Sequence, residues 1–184
     1  MEVSKRIFQL ETETAFEVLA KANELASKGK DIINLGIGQP DFSTPKNIQE
    51  AAIKAIKDGK HGYTPSNGIS ELRQAVANKI YQDYNTDVDP ENILITPGGK
   101  PVIFISALMF GGSDKEIIYP DPGFPIYRSM VKFSGAKPIP LYLDEEDNFE
   151  INLNKLKSLI SEKTSLIIIN NPNNPTGSFM KKDK

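Results

Sequence analysis

From Asn92 onward the chain alternates short apolar runs with helix-length segments, and three of the runs end in loops rich in Gly, Pro or Asn. Ile93-Leu94-Ile95, Glu116-Ile117-Ile118-Tyr119, Pro138 to Leu143 and Ser165 to Ile169 read as strands. Between them, Pro101 to Phe110, Ile126 to Phe133 and a segment marked by Leu153, Leu156 and Ile160 read as helices. A strand that is apolar on both faces needs cover on both faces. The alternation therefore predicts an α/β domain, a mostly parallel sheet with helices on both sides. In such sheets ligands sit beyond the carboxyl ends of the strands. That rule selects the loops Thr96 to Lys100, Pro120 to Phe124 and Asn170 to Gly177.

The first ninety residues are helical in pattern. Thr14 to Lys28 carries Ala15, Leu19, Ala22 and Ala26 at helical spacing, with Gly29 as a C-terminal cap. A short apolar run, Ile32 to Leu35, leads into Gly36-Ile37-Gly38-Gln39-Pro40-Asp41. Thr44-Pro45 reads as an N-cap with proline at the first helical position, opening a helix that ends before Gly59. A loop of turn formers, His61 to Gly68, precedes a helix from about Ile69 to Tyr84 with Ile69, Leu72, Val76 and Ile80 on one face. Asp87 to Pro90 reads as a turn. There is no internal repeat.

Composition removes several function classes. The 184 residues suffice for a core, and 22 basic against 24 acidic side chains give a net charge of −2. With no basic surplus, nucleic acid is not the expected partner. Without cysteine there are no disulfides, thiolate metal sites or cysteine nucleophiles, and the lone histidine, His61, reads as a surface or capping residue. No apolar run approaches the roughly 18 residues of a membrane span, and Glu2, Lys5 and Arg6 leave no secretory h-region. The expected location is the cytoplasm. Asp144 to Asp147 reads as a solvated turn, and Lys181-Lys182-Asp183-Lys184 as an exposed end.

Thr96-Pro97-Gly98-Gly99-Lys100-Pro101 joins a strand to a helix through a glycine pair. It is either a tight turn or an anion site, because helix-start N–H groups point outward and glycine permits close approach. It is not a Walker A loop, and Gly36 to Asp41 fails as a dinucleotide fingerprint because Asp41 takes the third glycine position. Phe124 either stacks on a planar ligand or fills core under its loop. Asn170-Asn171-Pro172-Asn173-Asn174-Pro175-Thr176-Gly177 is the sharpest signal, with rigid prolines and neutral amides after a buried strand.

Taken together and in order, these motifs resemble the N-terminal part of a class I/II aminotransferase, a fold type I enzyme of the aspartate aminotransferase-like group that uses pyridoxal 5′-phosphate. The resemblance rests on Asn34 to Pro45, on Tyr63-Thr64-Pro65 through Gly68-Ile69-Ser70-Glu71-Leu72-Arg73, on the Gly98-Gly99-Lys100 loop, on Pro122-Gly123-Phe124-Pro125-Ile126-Tyr127, and on the Asn-Pro-rich loop. It implies that Gly98, Gly99 and Lys100 hold the cofactor phosphate, that Phe124 stacks on the pyridine ring, and that Asn174 bonds the phenolic oxygen. It further implies that Tyr63 reaches the phosphate in the partner subunit of a homodimer, and that Gly38 lies against the substrate carboxylate. Pro101 departs from the small or polar residue frequent after this loop, without harm to a helix-start anion site.

The substrates so implied are an amino acid and a 2-oxo acid. Residues 1–45 would form an N-terminal arm and small-domain segment, and residues 46–184 an incomplete large domain. The Schiff-base lysine, the aspartate that pairs with the pyridine nitrogen and the arginine for the α-carboxylate all follow the last motif in this family. The chain is thus expected to be the first half of such an enzyme, with no catalytic residue of its own and no activity alone. The alternative expectation is a non-catalytic remnant that binds phosphorylated ligands or pairs with a full-length homologue.

Overall fold

A computed structural model describes residues 2–4, 7–8, 10 and 14–180. The expected exposed end at Lys181–Lys184, and Lys5 and Arg6 near the N-terminus, lie outside the described residues. In chain order the elements are α1 (Thr14–Ser27), α2 (Lys46–Lys57), α3 (Ser70–Tyr84), α4 (Lys100–Phe110), β1 (Glu116–Asp121), α5 (Ile126–Phe133), β2 (Lys137–Tyr142), α6 (Leu153–Leu159) and β3 (Thr164–Ile167). Short 3-10 turns occupy Pro90–Asn92 and Glu145–Asp147. The chain forms two compact units, one made of Met1–Ile32 and Gly99–Lys184, the other of Ile33–Gly98.

The first unit holds the sheet. Its strands lie in the order β2-β1-β3, with both pairings parallel. Successive side chains of a strand point to opposite faces. Ile117 and Ile118, both wholly buried, accordingly enter different cores. Ile117 packs with Val131 and Ala136 on the side of α5, and Ile118 with Leu141, Leu143 and Ile151. Leu156 and Leu159 of α6 close that second core. The sheet is therefore covered on both faces, as its apolar strands require.

β2 contains Pro138 and Pro140, opposite Ile117 and Tyr119. The residues that alternate with them face β1, for Lys137 N donates to Lys115 O at 2.9 Å and Leu143 N to Asp121 O at 2.8 Å. The prolines turn their missing N–H groups to the outer edge, where a sheet tolerates proline. Along the sheet the chain goes from β1 to β2 on one side, then returns to β3 on the other. The order reverses at β1 and β3, so their carboxyl ends flank the crevice position of an open α/β sheet.

The second unit is helical, and three expectations change there. Ile93–Ile95 forms no strand. Its tie to a neighbouring segment is Ile95 N donating to Asn67 O at 3.1 Å, which is no ladder. On α3 the buried residues are Arg73 and Ala77, while Leu72 is exposed. The buried stripe is rotated from the expected one because the Arg73 guanidinium has acceptors to go inward for. It donates to Gly68 O (3.3 Å), Pro90 O (2.9 Å) and the Glu91 carboxylate (2.9 Å). Helix α2 starts one residue later than expected, with Pro45 rather than Thr44 at the N-cap. Pro45 is extended at φ −53° and ψ 140°, an angle pair that proline's ring allows and a helix does not.

Candidate active site

Within the first unit, the loops after β1 and β3 meet beyond the sheet. The β1 loop needs its glycine: a Cβ on Gly123 would lie 2.1 Å from Pro120 O. This tight turn delivers Phe124, half-buried, to the strand end. The Phe124 ring is held edge-to-face against Tyr127, with centroids 5.9 Å apart and planes at 84°. Burial pushes the Tyr127 phenol above its ordinary range. The Lys100 ammonium lies 5.9 Å from the Phe124 centroid and 5.9 Å from that of Phe16 on α1, within cation–π reach of each.

The β3 loop divides its asparagines between structure and availability. Asn171 accepts from Met180 N through Oδ1 at 2.9 Å. The Asn170 amide, oriented so that both ends are satisfied, donates to Pro172 O (3.2 Å) and accepts from Asn174 N (3.0 Å). Asn173 is buried, and its Nδ2 donates to Pro122 O (3.2 Å) and Thr176 Oγ1 (2.9 Å). Its own backbone closes the loop: Asn173 N donates to Ser178 O and Gly177 N to Asn173 O, both at 2.8 Å. Asn174 is different. It is exposed, and its side chain has no hydrogen-bond partner among the described residues. The peptide bonds before Pro122, Pro172 and Pro175 are cis.

Helix α4 starts at Lys100 with Gly99 as N-cap, and no side chain caps it. Pro101 sits in its first turn, where no N–H is needed. A Cβ on Gly98 or Gly99 would meet nothing within 4 Å, so the space before the backbone is open. Gly98 adopts φ +84°, and Thr96 fixes it by accepting from Gly98 N (2.9 Å) and donating its hydroxyl to Gly98 O (2.6 Å). The donor set, backbone N–H groups at an uncapped helix start, suits an oxyanion.

Gly99, Lys100, Phe124 and Asn174 thus belong to the first unit, and Gly38, Tyr63 and Gly98 to the second. Gly38 is exposed, with no atom within 4 Å of where a Cβ would stand. Tyr63 is fully exposed. Its loop is tied down at Gly68, whose φ of +98° and 2.5 Å approach of a would-be Cβ to Ile95 Cγ1 both demand glycine. Sequence reasoning missed Arg73, Tyr127 and Asn173. Their signal was available only as position within the motifs, since nothing in residue type separates Asn173 from its neighbours.

The family model described as aminotransferase class I and II matches residues 30–184. The chain belongs to this family. Among curated relatives of these aminotransferases, the aspartate aminotransferase of Pyrococcus horikoshii is 47% identical over 163 residues, covering 87% of this chain and 41% of the relative. That of Bacillus subtilis is 38% identical over 177 residues, covering 96% and 45%. Among solved structures, the aspartate aminotransferase of Thermus thermophilus with maleate superposes with a TM-score of 0.94 at 33% identity, covering 100% of this chain and 48% of the other. The chain spans less than half the length of these relatives. The expected family and its α/β fold are both found, with the sheet and helices arranged as in the aminotransferase N-terminal portion.

Proposed function

We propose that the protein to which this chain belongs transfers an amino group between an amino acid and a 2-oxo acid, with pyridoxal 5′-phosphate as cofactor. The observation that carries the reading is Asn174. In an asparagine-rich loop at a ligand-facing strand end, its amide alone is left unspent by the loop itself.

The residues fit the cofactor by chemistry. At the start of α4 the N–H groups of Gly99 and Lys100 take the phosphate dianion, which the helix dipole also favours, and Gly98, whose own N–H is spent on Thr96 O, leaves the approach clear of a side chain. Phe124, braced by Tyr127, offers a ring for stacking on the pyridine. Asn174 supplies a neutral donor for the phenolic oxygen. When bound, the group supplies an electron sink for charge developing at the amino acid α-carbon. This chain's residues bind and orient it. Gly38, lacking a side chain, leaves room for the substrate carboxylate.

Tyr63, fully exposed here, reads as a phosphate contact in a partner subunit, so the working unit is a homodimer. Residues 1–45 are the arm and small-domain segment, and residues 46–184 part of the large cofactor-binding domain. The location that goes with this reading is the cytoplasm; among the described residues no helix is long and apolar enough to cross a membrane. The lysine, aspartate and arginine implied by the family resemblance follow the last motif of this chain.

The test is to isolate the polypeptide from its source cell, weigh it, and titrate it with pyridoxal 5′-phosphate by absorbance. Amino-group transfer is then assayed with an amino acid and a 2-oxo acid. A mass well above 20.4 kDa, cofactor binding and ping-pong transfer are expected. A 20.4 kDa product that takes cofactor but transfers nothing would favour the non-catalytic remnant instead.

A further inference from the structure

We infer that Asn173 is a positioning residue, one that sets the placement of the cofactor-facing groups Phe124 and Asn174 relative to each other. The inference rests on the cofactor reading above. Its basis is one buried side chain joining the two loops at the reversal point of the sheet.

Asn173 is 7% exposed, and its Nδ2 reaches Pro122 O at 3.2 Å, across 51 residues of sequence. Pro122 lies two residues before Phe124, inside the turn that Gly123 makes tight. The second Nδ2 hydrogen goes to Thr176 Oγ1 at 2.9 Å. That hydroxyl oxygen lies 2.8 Å from Ser178 Oγ, which in turn donates to Phe149 O at 3.1 Å. The Asn173 backbone is bonded on both sides, to Ser178 O and Gly177 N. Asn174 follows directly in the chain, with its own N–H held by the Asn170 amide at 3.0 Å. The path from the ring-bearing loop to the free amide is therefore short: Pro122 O, Asn173 Nδ2, the Asn173 main chain, Asn174.

The other end of the Asn173 amide identifies its purpose. Oδ1 is buried and has no hydrogen-bond partner among the described residues. Buried unpaired acceptors destabilise a fold. A leucine of similar size would fill the site and leave no orphaned side-chain oxygen. What asparagine adds over leucine is a donor, and that donor is aimed at Pro122 O. Swapping the amide would set oxygen against oxygen there, so the observed orientation is forced. The side chain thus fixes direction, and its two donated bonds offset the cost of the orphaned oxygen.

The experiment uses the protein as its source cell makes it, with Asn173→Asp and Thr176→Val as variants. Asn173→Asp sets an acceptor against Pro122 O. Thr176→Val keeps the shape and removes the hydroxyl that receives the second hydrogen, so it serves if the aspartate variant fails to fold. The readouts are the Kd for pyridoxal 5′-phosphate and the pH midpoint of the bound cofactor's absorbance, beside Tm. Either variant is expected to weaken cofactor binding about three- to tenfold and to shift that midpoint. In an Asn174→Ala background the midpoint shift is expected to vanish, because Asn173 acts through its neighbour. A lowered Tm with Kd and midpoint unchanged would overturn the positioning role and leave the cofactor reading intact. So would a midpoint shift that persists undiminished without the Asn174 amide. If the unmodified protein takes up no pyridoxal 5′-phosphate, both readings fail together.

Discussion

The Tyr127 ring meets that of Phe124 edge-on, at 5.9 Å and 84°. The two residues are a turn apart, one in the loop after β1 and the other inside α5, with Tyr127 N donating to Phe124 O at 3.1 Å. The helix therefore braces the aromatic that the cofactor reading places against the pyridine. Tyr127→Phe keeps the contact and should leave cofactor affinity unchanged. Tyr127→Leu removes an edge-to-face pair and should weaken pyridoxal 5′-phosphate binding about two- to tenfold, matching the roughly 0.5–1.5 kcal/mol such pairs contribute. Absorbance titration of the two variants side by side checks this.

Two glycines with different surroundings should respond oppositely to a methyl group. At Gly123 the added carbon would stand 2.1 Å from Pro120 O, so Gly123→Ala should destabilise by about 1–3 kcal/mol through forced backbone movement. At Gly99, with φ −83° and nothing within 4 Å, Gly99→Ala should leave thermal stability within about 0.5 kcal/mol. It should nonetheless cut cofactor affinity about tenfold, since the methyl fills the space where the phosphate approaches. Thermal melts together with binding titrations separate the two effects.

Arg73 and Glu91 form an asymmetric pair. The arginine side chain is 8% exposed and the glutamate 72%. Removing Arg73 strands two backbone carbonyls, Gly68 O and Pro90 O, whereas removing the Glu91 charge leaves the carbonyl bonds in place. Arg73→Met should cost about 2–3 kcal/mol in denaturant unfolding. Glu91→Gln should cost less than about 1 kcal/mol. Equal losses would show that the ion pair, not the carbonyl bonding, anchors the Tyr63 loop.

Glu116 gives an acid-side signature. The Ser161 hydroxyl (2.7 Å) and the Lys137 ammonium (3.0 Å) hold its carboxyl below the usual carboxylate range. A lowered folded value means that the carboxylate stabilises the fold above the ordinary range. That contribution is lost as pH falls through the folded value. Between about pH 7 and pH 3, the Tm of Glu116→Gln should therefore fall less steeply than that of the unmodified protein.

The order of elements in the sheet-bearing unit was legible because apolar runs and helical spacing repeat there without interruption. Ile126–Phe133 forms a helix as its pattern requires, and Ile117 and Ile118 are buried on opposite faces. Unit two was read less well. Ile93–Ile95 has the composition of a strand but no neighbour to pair with among the described residues, and pairing is invisible in a single run of residues. On α3 the reading followed aliphatic side chains, while the buried position belongs to Arg73, whose acceptors are supplied by Gly68 and by Pro90 and Glu91 farther along the chain. In the asparagine loop the residue types single out a candidate site. Residue type could not say that Asn170, Asn171 and Asn173 hold the loop and that Asn174 is left over. That division depends on which amide meets Pro122 O or Met180 N, a matter of folded geometry.

Pro138 and Pro140 give the sheet a direction of growth. A strand approaching β2 from outside meets two ring nitrogens with no hydrogen to offer, so zippering stalls there. The far flank, Thr164–Ile167, carries ordinary peptide groups. Any polypeptide that widens this sheet, whether from the same chain or another, must add at β3, beside the loop that presents Asn174.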